Sequence, residues 1–224
     1  MRRQDQGSWL SRAGWPGRGR SGLVSVGLVA VGLVASRTAD YARCVDISAG
    51  SYKIGPQSGQ LLVKTFRTGL GAKAGHDLTL EATRWHGDVT VDPQNPSASS
   101  VTVEAEADSL EVREGTGGVK PLTDSDRAEI KKTMQQILRT GQHQMITFRS
   151  ASVGGSPEAF HVNGDVTICG ATQPVTVQGR IADGRAQGSA TVVQSKCGIK
   201  PYSAFFGALK LRDEVQVQFD IALA

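Results

Sequence analysis

For residues 45–224 the sequence predicts an all-β fold with one inserted α-helix: an extended antiparallel up-and-down β-barrel of about eight strands. Three observations predict it. Apolar and polar residues alternate at period 2 through most of the region, most cleanly in EVQVQFDIAL, where Val215, Val217, Phe219, Ile221 and Leu223 share one face and Gln216, Gln218 and Asp220 the other. Turn clusters such as DPQNPSASS, VGGSPE, GATQ and ADGR separate short strands, as in a meander rather than a parallel sheet. Only one segment has a sustained helical period.

Taken in order, GQLLVKTFR reads as a strand, and HDLTLEA places His76, Leu78, Leu80 and Ala82 on one face with Asp77, Thr79, Glu81 and Thr83 on the other. The next apolar set, Trp85, Val89 and Val91, has the opposite parity. A phase slip near Thr83 and Arg84 therefore predicts a bulge or bend that curves a long strand around a barrel. VTVEAEADSLEV restarts the alternation, with Val101, Val103, Ala105 and Ala107 inward. In DSDRAEIKKTMQQILRTG, residues Ile130, Met134, Ile137 and Leu138 recur at helical spacing, and Thr123 with Asp126 predicts a capping box, with Gly141 as the C-terminal stop. Strands resume in MITFRSASV, AFHVNGDVTICG, QPVTVQGRI and GSATVVQSKCGI. Before the last strand, GIKPYSAFFGALKLRDE spaces Tyr202, Phe205, Phe206 and Leu209 as one helical face behind Pro201. The segment predicts a short amphipathic lid, whose aromatics either plug the barrel end or line the mouth of an apolar cavity.

The chain carries a formal charge of +4, but the charge is uneven. Residues 1–44 hold seven arginines against Asp5 and Asp40, a formal +5, which leaves −1 for residues 45–224. With no later run of Lys or Arg interleaved with aromatics, no nucleic-acid partner is expected. The tail contains GLVSVGLVAVGLVA, Gly22 to Ala35, a 14-residue apolar run too short for a comfortable membrane span. It reads either as the h-region of an export signal or as upstream sequence outside the mature protein; a membrane-attached tail is a further reading. The domain is then exported in the first case and cytoplasmic in the second.

Cys44, Cys169 and Cys197 form no CxxC pair and read as buried thiols, with a Cys169 to Cys197 bridge open to an exported chain. None of the four histidines lies at the short spacing from a cysteine that zinc sites use, so no metal and no cofactor are expected.

His76 and Asp77 together suggest a proton-handling pair, but neighbours in a strand point to opposite faces. The chain also has no G-x-S-x-G elbow, H-E-x-x-H or P-loop, and GTGG at Gly115 to Gly118 reads as a flexible connection rather than a phosphate loop. Asp77 is expected to accept hydrogen bonds from backbone N–H groups of the preceding glycine-rich turn, and His76 to cap the barrel end or meet a ligand's polar head.

The ordered set GHDLTLEATRWHGDVTVDP, SLEVREGTGG.KPLTDSDRAEI, ITFRSASV, F.VNGDVTICGATQPVTVQGRI and YSAFFGALKLRDEVQVQF resembles the YceI-like family of lipid- or polyisoprenoid-binding proteins, over about Ser48 to Leu223. Gly75-His76-Asp77-Leu78 is similar to the family's G-H-D-L element. Asp165 to Gly170 is similar to its G-x-L-T-I-x-G segment with Cys169 at the variable position, and Ser203 to Gly207 falls at its S-x-F-G element. The resemblance implies a lipocalin-like barrel whose apolar lumen holds a long isoprenoid or related amphiphile, commonly in a homodimer and without enzymatic activity.

The expected ligand is an isoprenoid, quinone or fatty-acyl lipid. Residues expected to face it are His76, Leu78, Leu80, Val101, Val103, Ile146, Phe148, Ile168, Tyr202, Phe205, Phe206, Leu209, Val217 and Phe219. Two other functions fit the same sequence: a lipid-modifying enzyme using His76, and a structural or stress-response barrel filled by its own side chains. Mass spectrometry of the natively produced N-terminus is expected to show loss of the tail; an intact Met1 would overturn both the export-signal and the upstream-sequence readings.

Overall fold

The computed structural model describes residues 47–223; the expectations for residues 1–44 lie outside the described residues. Among the described residues fourteen strands and one α-helix follow one another. The first seven strands are β1 (Gly50–Ile54), β2 (Gly59–Thr65), β3 (Arg67–Thr68), β4 (Asp77–Ala82), β5 (Trp85–Val91), β6 (Ser100–Glu106) and β7 (Leu110–Thr116). Helix α1 (Asp124–Leu138) follows. Then come β8 (Met145–Ser156), β9 (Ala159–Ile168), β10 (Ala171–Ala182), β11 (Arg185–Val193), β12 (Ser203–Ala204), β13 (Leu209–Leu211) and β14 (Glu214–Ala222).

Eleven of these lengths form one antiparallel sheet, and β3, β12 and β13 form a small second one. The count exceeds the expected eight because three long chain paths are interrupted. β1 and β2 run in succession along β5 and β4, while β4 and β5 are one path and β6 and β7 another, paired with each other throughout. With each path counted once, eight strands close a ring: β14 pairs with β2, the long hairpin follows, β6 pairs with β8, and β8 to β11 return to β14. The result is a lipocalin-like barrel whose ladder closes through β14 and β2, with the outer edges of β1 and β7 left without a strand partner among the described residues.

The break predicted near Thr83 and Arg84 separates β4 from β5. Opposite it, Ala107–Ser109 form a 3₁₀ turn between β6 and β7. The fully buried Ser109 pins this double bend. Its hydroxyl donates to the Glu106 carbonyl at 2.8 Å and lies 3.2 Å from the Arg84 carbonyl, and its own carbonyl accepts from the Thr83 hydroxyl at 2.9 Å. A second irregularity, an extra residue in β7 opposite Thr79 and Leu80, adds curvature.

Helix α1 begins as the sequence predicts. The Asp126 backbone N–H donates to the Thr123 hydroxyl at 3.2 Å, and the Asp126 carboxylate accepts from the Thr123 backbone N–H at 2.8 Å. It ends two residues before the expected Gly141 stop. Arg139 adopts the left-handed conformation at φ 50°, donating its N–H back to the last turn. The helix lies along β7, whose outer edge has no strand partner; Arg127 reaches the Val112 carbonyl at 2.7 Å and Lys131 pairs with Glu111 at 3.0 Å.

The expected lid is a correction. GIKPYSAFFGALKLRDE is a hairpin, not a helix: β12 and β13 pair with each other and β13 with β3, around a tight turn at Phe205–Gly207. Phe205, Phe206 and Gly207 all have positive φ, a run that a helix cannot contain. The helical spacing of the aromatics was a coincidence of a turn flanked by alternating strands.

Thr123→Ala is expected to lower stability by about 1 kcal/mol by removing the cap. The hydrogen bonds from Thr123, backbone first and hydroxyl second, hold the Asp126 carboxyl below the usual carboxylate range. Its contribution is therefore full above the unfolded-state pKa and lost as pH falls through the lower folded value. Thermal melts should show Asp126→Asn less stable than wild type near neutral pH, with the gap closing in acid; a constant gap would refute the cap.

Candidate functional site

The barrel encloses a cavity of about 1090 Å³. Period-2 alternation builds its wall, since every second residue of each strand points inward. His76, Leu78 and Leu80 reach it from the start of the β4 path, Val101 and Val103 from β6, Ile146 and Phe148 from β8, and Ile168 from β9. Val217 and Phe219 reach it from β14, and Tyr202 and Leu209 from the hairpin at the mouth. Phe205 and Phe206 do not. Side chains at the hairpin turn face solvent, 69% and 114% exposed, so neither plugs nor lines the lumen.

One row of residues explains why inward phenylalanines leave space. Across β9, β10, β11 and β14, Phe160 pairs with Gly179, Gly179 with Gly188, and Gly188 with Phe219. A Cβ at Gly179 would lie 2.5 Å from the Phe160 ring, and one at Gly188 2.6 Å from the Phe219 ring. The two rings thus lie over two bare glycines against the wall rather than projecting across the barrel. The sequence reading missed this row, because nothing local distinguishes a glycine that receives a ring from one that makes a turn.

It also left the helix out of the site. Ile130, Met134, Ile137 and Leu138, the apolar face of α1, line the same cavity. Their periodicity was legible; what was not is that the helix covers a lumen instead of a filled core.

The charged residues that border the cavity come from the segments at its two ends. At one end lie His76, Lys120, Thr123, Asp126 and Glu129, and at the other Asp92, Ser99 and Ser156. The stretch between is walled by valine, leucine, isoleucine, phenylalanine and alanine, with two polar atoms concealed in it. Trp85 Nε1 and Thr65 Oγ1 are buried without a hydrogen-bond partner among the described residues, which costs about 1 to 3 kcal/mol each.

At the first end the Gly-His-Asp element makes a clasp. The His76 Nε2 lies 2.8 Å from the Lys120 carbonyl oxygen, and its ring packs where a Cβ on Gly118 would be, 2.4 Å away. The Arg67 guanidinium fills the corresponding space at Gly117, donates to the Gly75 carbonyl and lies 3.9 Å from the Asp77 carboxylate. Gly117 and Gly118 have φ of 73° and 77°, so both close approach and backbone conformation demand glycine. GTGG is therefore not merely a flexible connection. It is held across the mouth by Arg67 and His76.

Asp77 accepts the Arg67 backbone N–H at 2.7 Å, not the N–H groups of the preceding turn. His76 and Asp77 consequently serve different partners, and no hydrogen bond joins them. No group of three or more His, Cys, Asp or Glu among the described residues is placed to hold a metal ion.

Beside the α1 C-terminus, Cys169 and Cys197 are free and buried, packed with Ile199. Burial pushes the Cys169 thiol up, with Arg139 opposing the shift. Cys169 donates to the Leu138 carbonyl at 3.1 Å, and the Gln173 side-chain amide donates to Cys197 Sγ at 2.8 Å.

Asp77→Ala leaves the Arg67 N–H without its acceptor and is expected to lower stability by about 0.5 to 2 kcal/mol. Chemical denaturation checks this; an unchanged midpoint and slope would remove the clasp's carboxylate from the account.

Comparison with known proteins agrees with this geometry. Residues 52–223 match the sequence model of the YceI-like domain. Protein YceI of Escherichia coli O157:H7 is 29% identical over 97 residues, 42% of this chain and 44% of that protein, and a UPF0312 protein of Pseudomonas paraeruginosa matches to the same extent. The chain thus aligns with less than half the length of these curated relatives. The crystal structure of BcnA from Burkholderia cenocepacia superposes with a TM-score of 0.57 at 15% identity, covering 74% of this chain and 96% of that one. A likeness at that identity concerns the fold. The family match spans most of the chain and all of the barrel wall described above, and the chain belongs to the YceI-like family.

Proposed function

We propose that the protein binds and carries, or sequesters, a long-chain amphiphile in its barrel without turning it over. The ligand class is a polyisoprenoid, an isoprenoid quinone or a fatty-acyl lipid. One observation carries the reading: a single cavity of about 1090 Å³ runs through the barrel with an apolar middle and polar ends. A chain of methylene or isoprene units fits the middle and a polar head the end. Burying about 300 Å² of such a ligand contributes about 7 kcal/mol before the cost of ordering it. Because each methylene adds only about 0.8 kcal/mol, such a wall selects a class of ligand more than one chain length.

Enzymatic use of His76 has less support. Its Nε2 is engaged by the Lys120 carbonyl, and Asp77 is turned to Arg67. A barrel filled by its own side chains would need Phe205 and Phe206 inside, whereas both are exposed.

Native mass spectrometry and solvent extraction of the purified protein are expected to reveal a co-purifying lipid. Val217→Trp, which projects an indole into the lumen opposite the small Ala190, should weaken binding of a fluorescent polyprenyl or acyl probe by about tenfold or more while the protein stays folded. His76→Ala should retain probe binding. Absence of both a bound lipid and probe binding would sink the proposal, and turnover of the lipid that is lost in His76→Ala would replace it with the enzymatic reading.

A further inference from the structure

The hairpin that the sequence reads as a lid presents its aromatics outward. Phe205 and Phe206 sit in consecutive left-handed backbone conformations, φ 50° and 53°, which L-residues adopt at a steric cost. Leu70, 102% exposed, lies beside them: its neighbours Gly69 and Gly71 both pack on Ala208, and the Gly71 N–H donates to the Ala208 carbonyl at 2.8 Å. Three large apolar side chains therefore share one tip, although single scattered ones are what a soluble surface ordinarily shows.

The charge on the tip itself is one-sided, while Asp124, Asp126 and Glu129 lie in the helix start that borders the same mouth. Segments 66–76 and 198–212, which build the tip, contain five Lys or Arg and no Asp or Glu, in a domain whose residues 45–224 carry a formal −1. Arg67 turns inward to the clasp, leaving Lys73, Lys200, Lys210 and Arg212 exposed around the tip. The same two segments form the cavity mouth through Gly75, Tyr202 and Leu209.

Apolar side chains projecting beyond a cationic collar match the interface of a bilayer with anionic headgroups, which receives aromatic and leucine side chains at the headgroup level and attracts the lysines. A second copy of this chain matches poorly. A two-fold contact sets the patch against itself and brings the cations of one subunit onto those of the other. We propose that the Leu70, Phe205 and Phe206 tip docks on an anionic membrane surface, so that the cavity mouth opens against the bilayer. The docking rests on the carrier reading for its purpose, not for its occurrence.

Sedimentation of the full chain with phosphatidylcholine vesicles, with and without about 30% phosphatidylglycerol, tests it. Binding should be strong only with the anionic lipid and should fall as salt rises. Phe205→Ser with Phe206→Ser should weaken it about tenfold or more, as should Lys73→Glu with Lys210→Glu, while both double variants retain affinity for a soluble acyl probe. No binding to anionic vesicles, or equal binding by the phenylalanine variant, would overturn the proposal. So would a wild-type dimer that this variant converts to monomer without any vesicle binding. If vesicle binding is lost as expected but no form of the protein binds the probe, docking stands and the carrier reading fails.

Discussion

Closure of the backbone hydrogen-bond ring is the constraint on which the rest of this structure depends. A strand edge exposes donors and acceptors that favour pairing, and the eight chain paths close into a ring only by returning β14 to β2, with α1 lying along the edge left at β7. That fixes the circumference. Inward side chains then have no freedom to approach until they touch, and valine-sized residues on opposite walls leave space between them. The Phe160, Gly179, Gly188, Phe219 row extends the effect, because two large inward side chains are laid along the wall by the absence of Cβ atoms beneath them. The lumen is thus a consequence of the ladder and of two glycines, not of missing hydrophobicity.

A ring of uniform strands would not bend tightly enough at the long hairpin, and the chain solves this with polar pins. Buried Ser109 holds the Glu106 carbonyl where β6 gives way to β7, and its hydroxyl also lies near the Arg84 carbonyl between β4 and β5. The mouth uses the same device. Arg67 and His76 press into the space over Gly117 and Gly118 and bind the Gly75 and Lys120 carbonyls, tying the loop before α1 to the start of β4. The histidine and aspartate that resemble catalytic groups on paper are divided between the loop and a backbone N–H. Strand geometry requires that division, since adjacent residues face opposite sides.

The same physics decides what was legible in the sequence. Period-2 alternation identified the wall from His76 to Leu80 and along β14, the parity slip identified the bend, and Thr123 with Asp126 identified the helix start, because each signal is local. Strand interruptions were less visible: VTVEAEADSLEV reads as one strand, yet Ala107–Ser109 turn. The hairpin was misread because a turn with two left-handed phenylalanines and a glycine mimics helical spacing. Arg67 and the Gly179–Gly188 pair were invisible for another reason. Their partners lie on neighbouring strands and turns, at separations of eight to ten residues that a strand or helix period does not mark.

Cavity size also bears on how stability and occupancy are linked. Scaled at about 24 cal/mol per Å³, a dry void of about 1090 Å³ would cost about 26 kcal/mol, more than the whole stability of about 5 to 15 kcal/mol that a domain possesses. The lumen therefore cannot behave as a packing defect; it must be a compartment that solvent or ligand enters. Water gains little from an apolar middle that offers it few hydrogen-bond partners. An amphiphile of the proposed class would gain the burial of its chain, with its head among His76, Lys120 and the helix start. Whatever enters preferentially stabilises the closed ring by mass action, so the barrel that excludes its own side chains from the lumen makes its folding equilibrium a function of what occupies it.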